Sequence, residues 1–373
     1  MRLENKVAII TGSSSGIGYA VADKYLSEGA KVVVCGLNPE DTKKSIDKLS
    51  LKYDINSILG VTVNVKNTSE IENLFKETIN KFGKLDILVN NAGIAPAKPL
   101  DLMTDEEWDN TINVLKLQGK IVPSHNLIKS EEDIKWIKKA AKINNAVLDL
   151  VGEKICAGMT TEDIDKLVYD YTTSHGGIPA CLGYEGFPKS VCTSINNEIC
   201  HGIPSEKVVL KDGDIINVDC TTIVHKHFAD ASRMFCIGHV SEEAKRLVEV
   251  TKECLEIGKE AVRPWGYIGD IGAAIQEHAH KNGYSVVVDF CGHGVGNAFH
   301  EDPYVHHVGI RNTGMVIAPG MVFTIEPMIN QGTRDLYIDK DNGWTSYTKD
   351  GKLSAQWENT ILVTEKGIEV LAW

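Results

Sequence analysis

Five residues in the second half of the chain have types and settings that point to chemistry. Asp219 lies in IINVDCTTI, Asp230 in FADASRMFCI, Glu326 in MVFTIEPM and Glu358 in SAQWENTILV, all apolar, strand-like runs. His293 lies in CGHGVG, between glycines that let the backbone bring an imidazole close to a site. The two aspartate runs flank VHKH, which reads as a hairpin turn, and the midpoint between Asp219 and Asp230 falls at that turn. In an antiparallel hairpin the pair then lies opposite, or within about one residue of it. Like charges so placed destabilise a sheet. Two buried carboxylates facing each other need a shared proton or a cation. A divalent metal is the more economical reading. One glutamate in such a run is usually an edge or surface residue, but four acids in apolar strands of one domain are not explained that way. One imidazole with several carboxylates suits Mn, Fe, Co or Zn better than Ca or a thiolate site.

The elements that must position these residues are strands, along which alternate side chains share a face. Upstream, GKIVPSHNLIKSEEDI reads as an extended arm followed by a capped helix. Ser130 and Asp133 make a capping-box pattern, and Ile134, Ile137, Ala141, Val147 and Val151 follow at helical spacing. A second helix starts at Thr160, again with an acid three residues on, at Asp163.

The chain has 373 residues, enough for two domains. Its 43% hydrophobic and 24% charged content is that of a soluble globular protein. A net charge of −12 disfavours a nucleic-acid partner. No apolar run approaches the ~20 residues of a membrane span, and MRLENKVAIITG lacks the pattern of a signal peptide. Nine cysteines without a CxxC pair read as reduced thiols, which implies a cytoplasmic protein.

The first third reads differently. Strand-like runs at Lys6 to Thr11, Lys31 to Cys35, Ser57 to Val65 and Leu85 to Asn90 alternate with helical patterns at Ile17 to Ser27, Asp41 to Tyr53 and Ser69 to Phe82. This rhythm implies a parallel, doubly wound sheet. Gly12, Gly16 and Gly18 stand between strand and helix, where glycines let backbone N–H groups approach a pyrophosphate. With NNAG at Asn90 to Gly93 and TDEEWDNTINV from Thr104, residues 1–115 resemble the N-terminal part of a short-chain dehydrogenase/reductase. The resemblance implies a partial α/β Rossmann-like domain with Gly12, Gly16, Gly18 and Asn90 as its dinucleotide-facing residues. That family's Tyr-x-x-x-Lys pair is absent, its catalytic Asn falls at Leu115, and its adenine-side Asp appears as Asn64. Leu37 and Asn38 supply neither an acid for a ribose nor an arginine for a 2'-phosphate. NAD(P) binding and catalysis are therefore not expected here. The segment supplies about four strands of a larger sheet, so its apolar edge at Leu85 to Val89 is expected to be exposed and the fragment marginal alone.

From about Gly119 onward, GYEGFPKSVCTSINNEICHGIP, NVDCTT, FADASRMF, CGHGVGNAFHEDP, FTIEPM and DGKLSAQWENT stand in the order and spacing of type I methionine aminopeptidases. The resemblance implies an α+β pita-bread (creatinase/aminopeptidase-like) catalytic domain over residues 119–373, acting as a monomer. It implies two divalent metal ions (Co, Mn, Fe or Zn), with Asp219 chelating one, His293 and Glu326 holding the other, and Asp230 and Glu358 bridging. An activated water would attack the first peptide carbonyl while Glu326 shuttles its proton. His201 and His300 would hydrogen-bond the peptide and the tetrahedral intermediate. Cys181, Tyr184, Phe187, Phe299 and Trp344 would line a slot for the methionine thioether. The implied partners are N-termini of nascent polypeptides, with a small second residue, met at the ribosome. A proline-specific peptidase shares the fold and ligands, but GYEGFPKSVC and ICHGIP favour methionine.

Overall fold

The computed structural model describes residues 1–93 and 102–373. Their contacts separate two compact units, 1–96 and 97–373. In the first, strands Val7–Ile10, Lys31–Gly36, Ile58–Thr62 and Ile87–Val89 form a wholly parallel sheet. The strand order is third, second, first, fourth. Helices Gly16–Ser27 and Pro39–Ser50 supply Ala22, Leu26 and Leu49 to one core. Helix Thr68–Phe82 supplies Leu74 to a second core on Ile9 and Val33, and ends on Gly83 in the left-handed conformation. The fourth strand is an edge, and its Leu88 is 46% exposed.

The division at 96 differs from the sequence boundary near 115. Helix Asp105–Leu117 reads as dehydrogenase-like, yet its Trp108 and Ile112 sit in a core with Ile215, Leu247 and Phe323 of the second unit. Trp108 Nε1 donates to Pro123 O at 3.0 Å, and its ring stacks on His125. Burial of an amphipathic face decides where a helix belongs.

In the second unit both capping boxes form. Ser130 opens helix Glu131–Lys154 and Thr160 opens Thr161–Ser174, each exchanging bonds with the acid three residues on. These helices cover the long hairpin Ile215–Val224 and His227–Cys236. A second helix pair, Glu242–Ala261 and Ile268–Lys281, covers the other core. Inside lies a five-stranded sheet ordered Glu301–Val305, Gly292–Gly294, Val322–Ile325, Asn359–Thr364, Gly367–Ala372. Asp219, Asp230 and His293 lie within strands of the hairpin and of this sheet, and Glu326 and Glu358 lie directly at the ends of two others.

The hairpin turns on His225 and Lys226, both with positive φ (51° and 66°), as a two-residue turn requires. Its register pairs Asp219 with Ser232 and Thr221 with Asp230. Asp219 and Asp230 are therefore diagonal neighbours rather than directly opposite. The offset of two residues keeps both on one face.

Candidate metal centre

Each candidate ligand is placed by a ladder. Val322–Ile325 pairs with Asn359–Thr364 so that Ile325 faces Asn359, and one step further the same register sets Glu326 against Glu358. Gly294 pairs with Phe323, which brings His293 beside Thr324. The Glu358 N–H donates to Ser232 O at 3.1 Å, joining this sheet to the hairpin next to Asp219. Ligand atoms of Asp230, His293 and Glu358 lie within 4.8 Å of one another. His293 Nε2 is 3.6 Å from Glu326 Oε1 and 3.8 Å from Asp230 Oδ2. Asp219 opens onto the same cavity.

Hydroxyls and amides hold these groups. Thr221 Oγ1 donates to Asp230 Oδ1 at 2.8 Å, and Thr324 Oγ1 donates to Glu326 Oε1 at 2.8 Å while accepting the His293 N–H at 3.0 Å. Gln356 Nε2 donates to Glu326 Oε2 at 3.3 Å, and the Glu326 N–H donates to His307 Nε2 at 3.1 Å. His293 Nδ1 lies 2.9 Å from Gly294 O, so that nitrogen carries the proton and Nε2 offers its lone pair to the acids.

Among the described residues, none of the four carboxylates pairs with a lysine or arginine. Burial lifts the Asp219 carboxyl to about 7. Burial, then the charge of Asp219, lifts Asp230 well above the usual range; burial and the charge of Asp230 do the same to Glu326 and Glu358. His293 is pushed down to about 4 by burial and by His300. Clustered acids without a counter-charge, beside an imidazole presenting a lone pair, are a donor set that fits divalent cations.

One cavity of about 330 Å³ gathers all five of these residues with His201, His300, Cys181, Tyr184, Phe187, Phe299 and Trp344. His201 has φ +56°, uncommon outside glycine, and burial with the His300 charge pushes its imidazole down to about 4. His300 Nδ1 is 2.9 Å from Tyr184 Oη. Phe187 meets Trp344 edge-on at 5.2 Å, and Tyr184 packs on Phe299 at 4.7 Å. Sequence reasoning missed Phe290, Met328 and Cys192 on the lining. Met328 stands two residues after Glu326 in FTIEPM, a signal that was available; Cys192 faces Asp219 only through strand pairing.

In the first unit, Gly12 and Gly16 have positive φ, and a Cβ on Gly18 would lie 2.4 Å from Gly12 O. Asn91 closes this turn, its Nδ2 donating to Thr11 O at 2.9 Å, and its neighbour Asn90 is exposed.

The metallopeptidase family M24 model matches residues 135–365. The chain belongs to metallopeptidase family M24. Its catalytic unit has the pita-bread fold of that family, whose name implies divalent metal. Methionine aminopeptidase A of Synechocystis sp. is 53% identical over 242 residues, covering 65% of this chain and 95% of that protein. Methionine aminopeptidase of Rickettsia prowazekii is 46% identical over 243 residues, covering 65% of this chain and 93% of that protein. The crystal structure of the Rickettsia prowazekii enzyme matches with a TM-score of 0.65 at 45% identity, over 66% of this chain and 99% of that one. An X-Pro aminopeptidase from Thermotoga maritima matches with a TM-score of 0.52 at 18% identity, over 91% of this chain and 85% of that one, a likeness of fold alone. The short chain dehydrogenase model matches residues 6–130 of this M24 protein. No helix among the described residues is long and apolar enough to cross a membrane.

Proposed function

We propose that the chain removes the N-terminal methionine from peptides and nascent proteins by metal-assisted hydrolysis. The observation that carries this reading is the single cavity in which acids and an imidazole form the floor and aromatic and sulfur side chains form the wall. Asp219 would chelate one ion, His293 and Glu326 the other, with Asp230 and Glu358 shared between them. Mn, Fe, Co or Zn bound there would supply Lewis-acid polarisation and a water activated at neutral pH.

The chain's own residues do the rest. Glu326, held by Thr324 and Gln356, takes and returns the proton. His201 and His300, both pushed below the usual histidine range by burial, are neutral near pH 7 and donate hydrogen bonds to the scissile carbonyl as charge develops. Tyr184 orients His300. Phe187, Phe299, Trp344 and Cys181 accept the unbranched thioether. A small second residue, N-termini emerging from the ribosome, and a cytoplasmic setting complete the reading.

The test compares Met-Ala-Ser with an X-Pro peptide after loading with Mn, Co or Fe. Met-Ala-Ser turnover that chelation abolishes and metal restores is expected, with E326A and D230A inactive. Undiminished turnover in excess chelator overturns the metal assignment, and cleavage of the X-Pro peptide alone overturns the specificity.

A further inference from the structure

Lys129 is the one lysine among the described residues whose side chain is fully withdrawn from solvent, at 1% exposure. Its Nζ meets Glu301 Oε1 at 2.7 Å. The same oxygen accepts the Asn297 N–H at 3.1 Å, so one carboxylate closes the loop 297–301. The backbone of Lys129 is itself fixed, its N–H donating to Gly320 O at 2.9 Å. The loop lies against the lysine stem. A Cβ on Gly296 would be 3.3 Å from Lys129 Cε and 2.6 Å from Ile137 Cδ1.

Between Gly296 and Glu301 stand Phe299 and His300, whose rings stack at 4.4 Å. The His300 ring is 4.2 Å from that of His293. A buried ion pair is weak evidence for stability, because apolar residues of similar volume often serve as well. What a charge-assisted bond adds is direction. Here the direction fixes the stretch of backbone that carries two cavity residues.

We propose that Lys129 is a positioning residue: through Glu301 it holds the 296–301 loop so that Phe299 and His300 face the metal centre. The proposal rests on the peptidase reading above. Remote support of this kind acts on rate, since a displacement of about 1 Å at a reacting group costs up to about 100-fold.

Wild type, K129M, K129R and E301Q are compared by Met-Ala-Ser kinetics with metal loaded. They are also compared by histidine side-chain NMR without metal, with the His300 signal assigned through H300N. K129M and E301Q are expected to lower kcat about 10- to 100-fold, as loss of positioning does. KM is expected to rise as well, because the displaced loop carries Phe299, which walls the methionine slot. K129R is expected to keep most of the rate, and the His300 signal to shift or broaden in K129M and E301Q only. Unchanged kcat and an unmoved His300 signal in folded variants overturn the proposal, whatever happens to the melting temperature. If K129M does not fold, E301Q, which keeps an acceptor for Asn297, decides. A wild type that fails on Met-Ala-Ser sinks the peptidase reading, while the NMR comparison still decides the role of Lys129.

Discussion

Thr324 Oγ1 touches two candidate ligands at once, donating to Glu326 and accepting from the His293 N–H. Such threonines were not legible in the sequence, because threonine in a strand is ordinary and its partners depend on register. The four candidate acids stood out for the opposite reason, because carboxylates in apolar strands call for a counter-charge, and His293 stood out between glycines. Their burial gives the metal-free protein a definite response to pH. Asp219 is raised to about 7, and burial and neighbouring carboxylates raise Asp230, Glu326 and Glu358 well above the usual carboxylate range. A group whose folded pKa lies above its unfolded value stabilises the fold fully below the unfolded pKa and loses that contribution as pH rises through the folded pKa. The contribution of these acids to metal-free stability should therefore fall from about pH 4 through pH 7 and beyond, while His201 and His293, lowered to about 4, act in the opposite sense up to about pH 6.5, so the net fall is expected above that value. Bound cations hold the same carboxylates ionised, so the stabilisation from metal should be larger at pH 8 than at pH 5, where protons compete. Urea melts with and without chelator at both values check this. Equal metal effects at the two pH values would show that these acids are not the ligands.

At the scale of elements, the hairpin shows how far pattern reading reaches. The midpoint at the turn placed Asp219 and Asp230 opposite or within about one residue, whereas the register sets them two residues apart, and that register depended on His225 and Lys226 both adopting positive φ. Helix Asp105–Leu117 shows the same limit more sharply. Its sequence continues the dehydrogenase-like stretch, and the family match runs to residue 130. Its apolar face nevertheless lies in the peptidase core, where Trp108 is 1% exposed. Which core takes a helix is a tertiary outcome that local periodicity does not encode. W108A should therefore cost the peptidase unit about 3–5 kcal/mol, the usual range for emptying a large buried aromatic site. The loss is measured as a lower urea midpoint for the transition that metal shifts. A W108A protein with an unchanged midpoint would place the helix outside that core.

For the whole molecule, two units with separate cores imply two unfolding events. The first is small, and its four-stranded sheet ends in an edge with Leu88 46% exposed, so its melting should come earlier. All five candidate ligands lie in 97–373, together with every residue lining the cavity. A ligand stabilises only the unit that binds it, by about 2.7 kcal/mol at a hundred times its dissociation constant. Calorimetry of the full chain should then show two transitions, and Mn or Co should raise the later one while leaving the earlier one in place. Removing residues 1–96 should abolish the early transition and keep Met-Ala-Ser turnover within about threefold, since no group that touches the reaction is lost. The helix Asp105–Leu117 must stay in that shortened chain, because its tryptophan belongs to the core that remains. A single transition that moves as a whole on adding metal would mean that the two units fold as one, and that the dehydrogenase-like part has become structurally necessary to the peptidase.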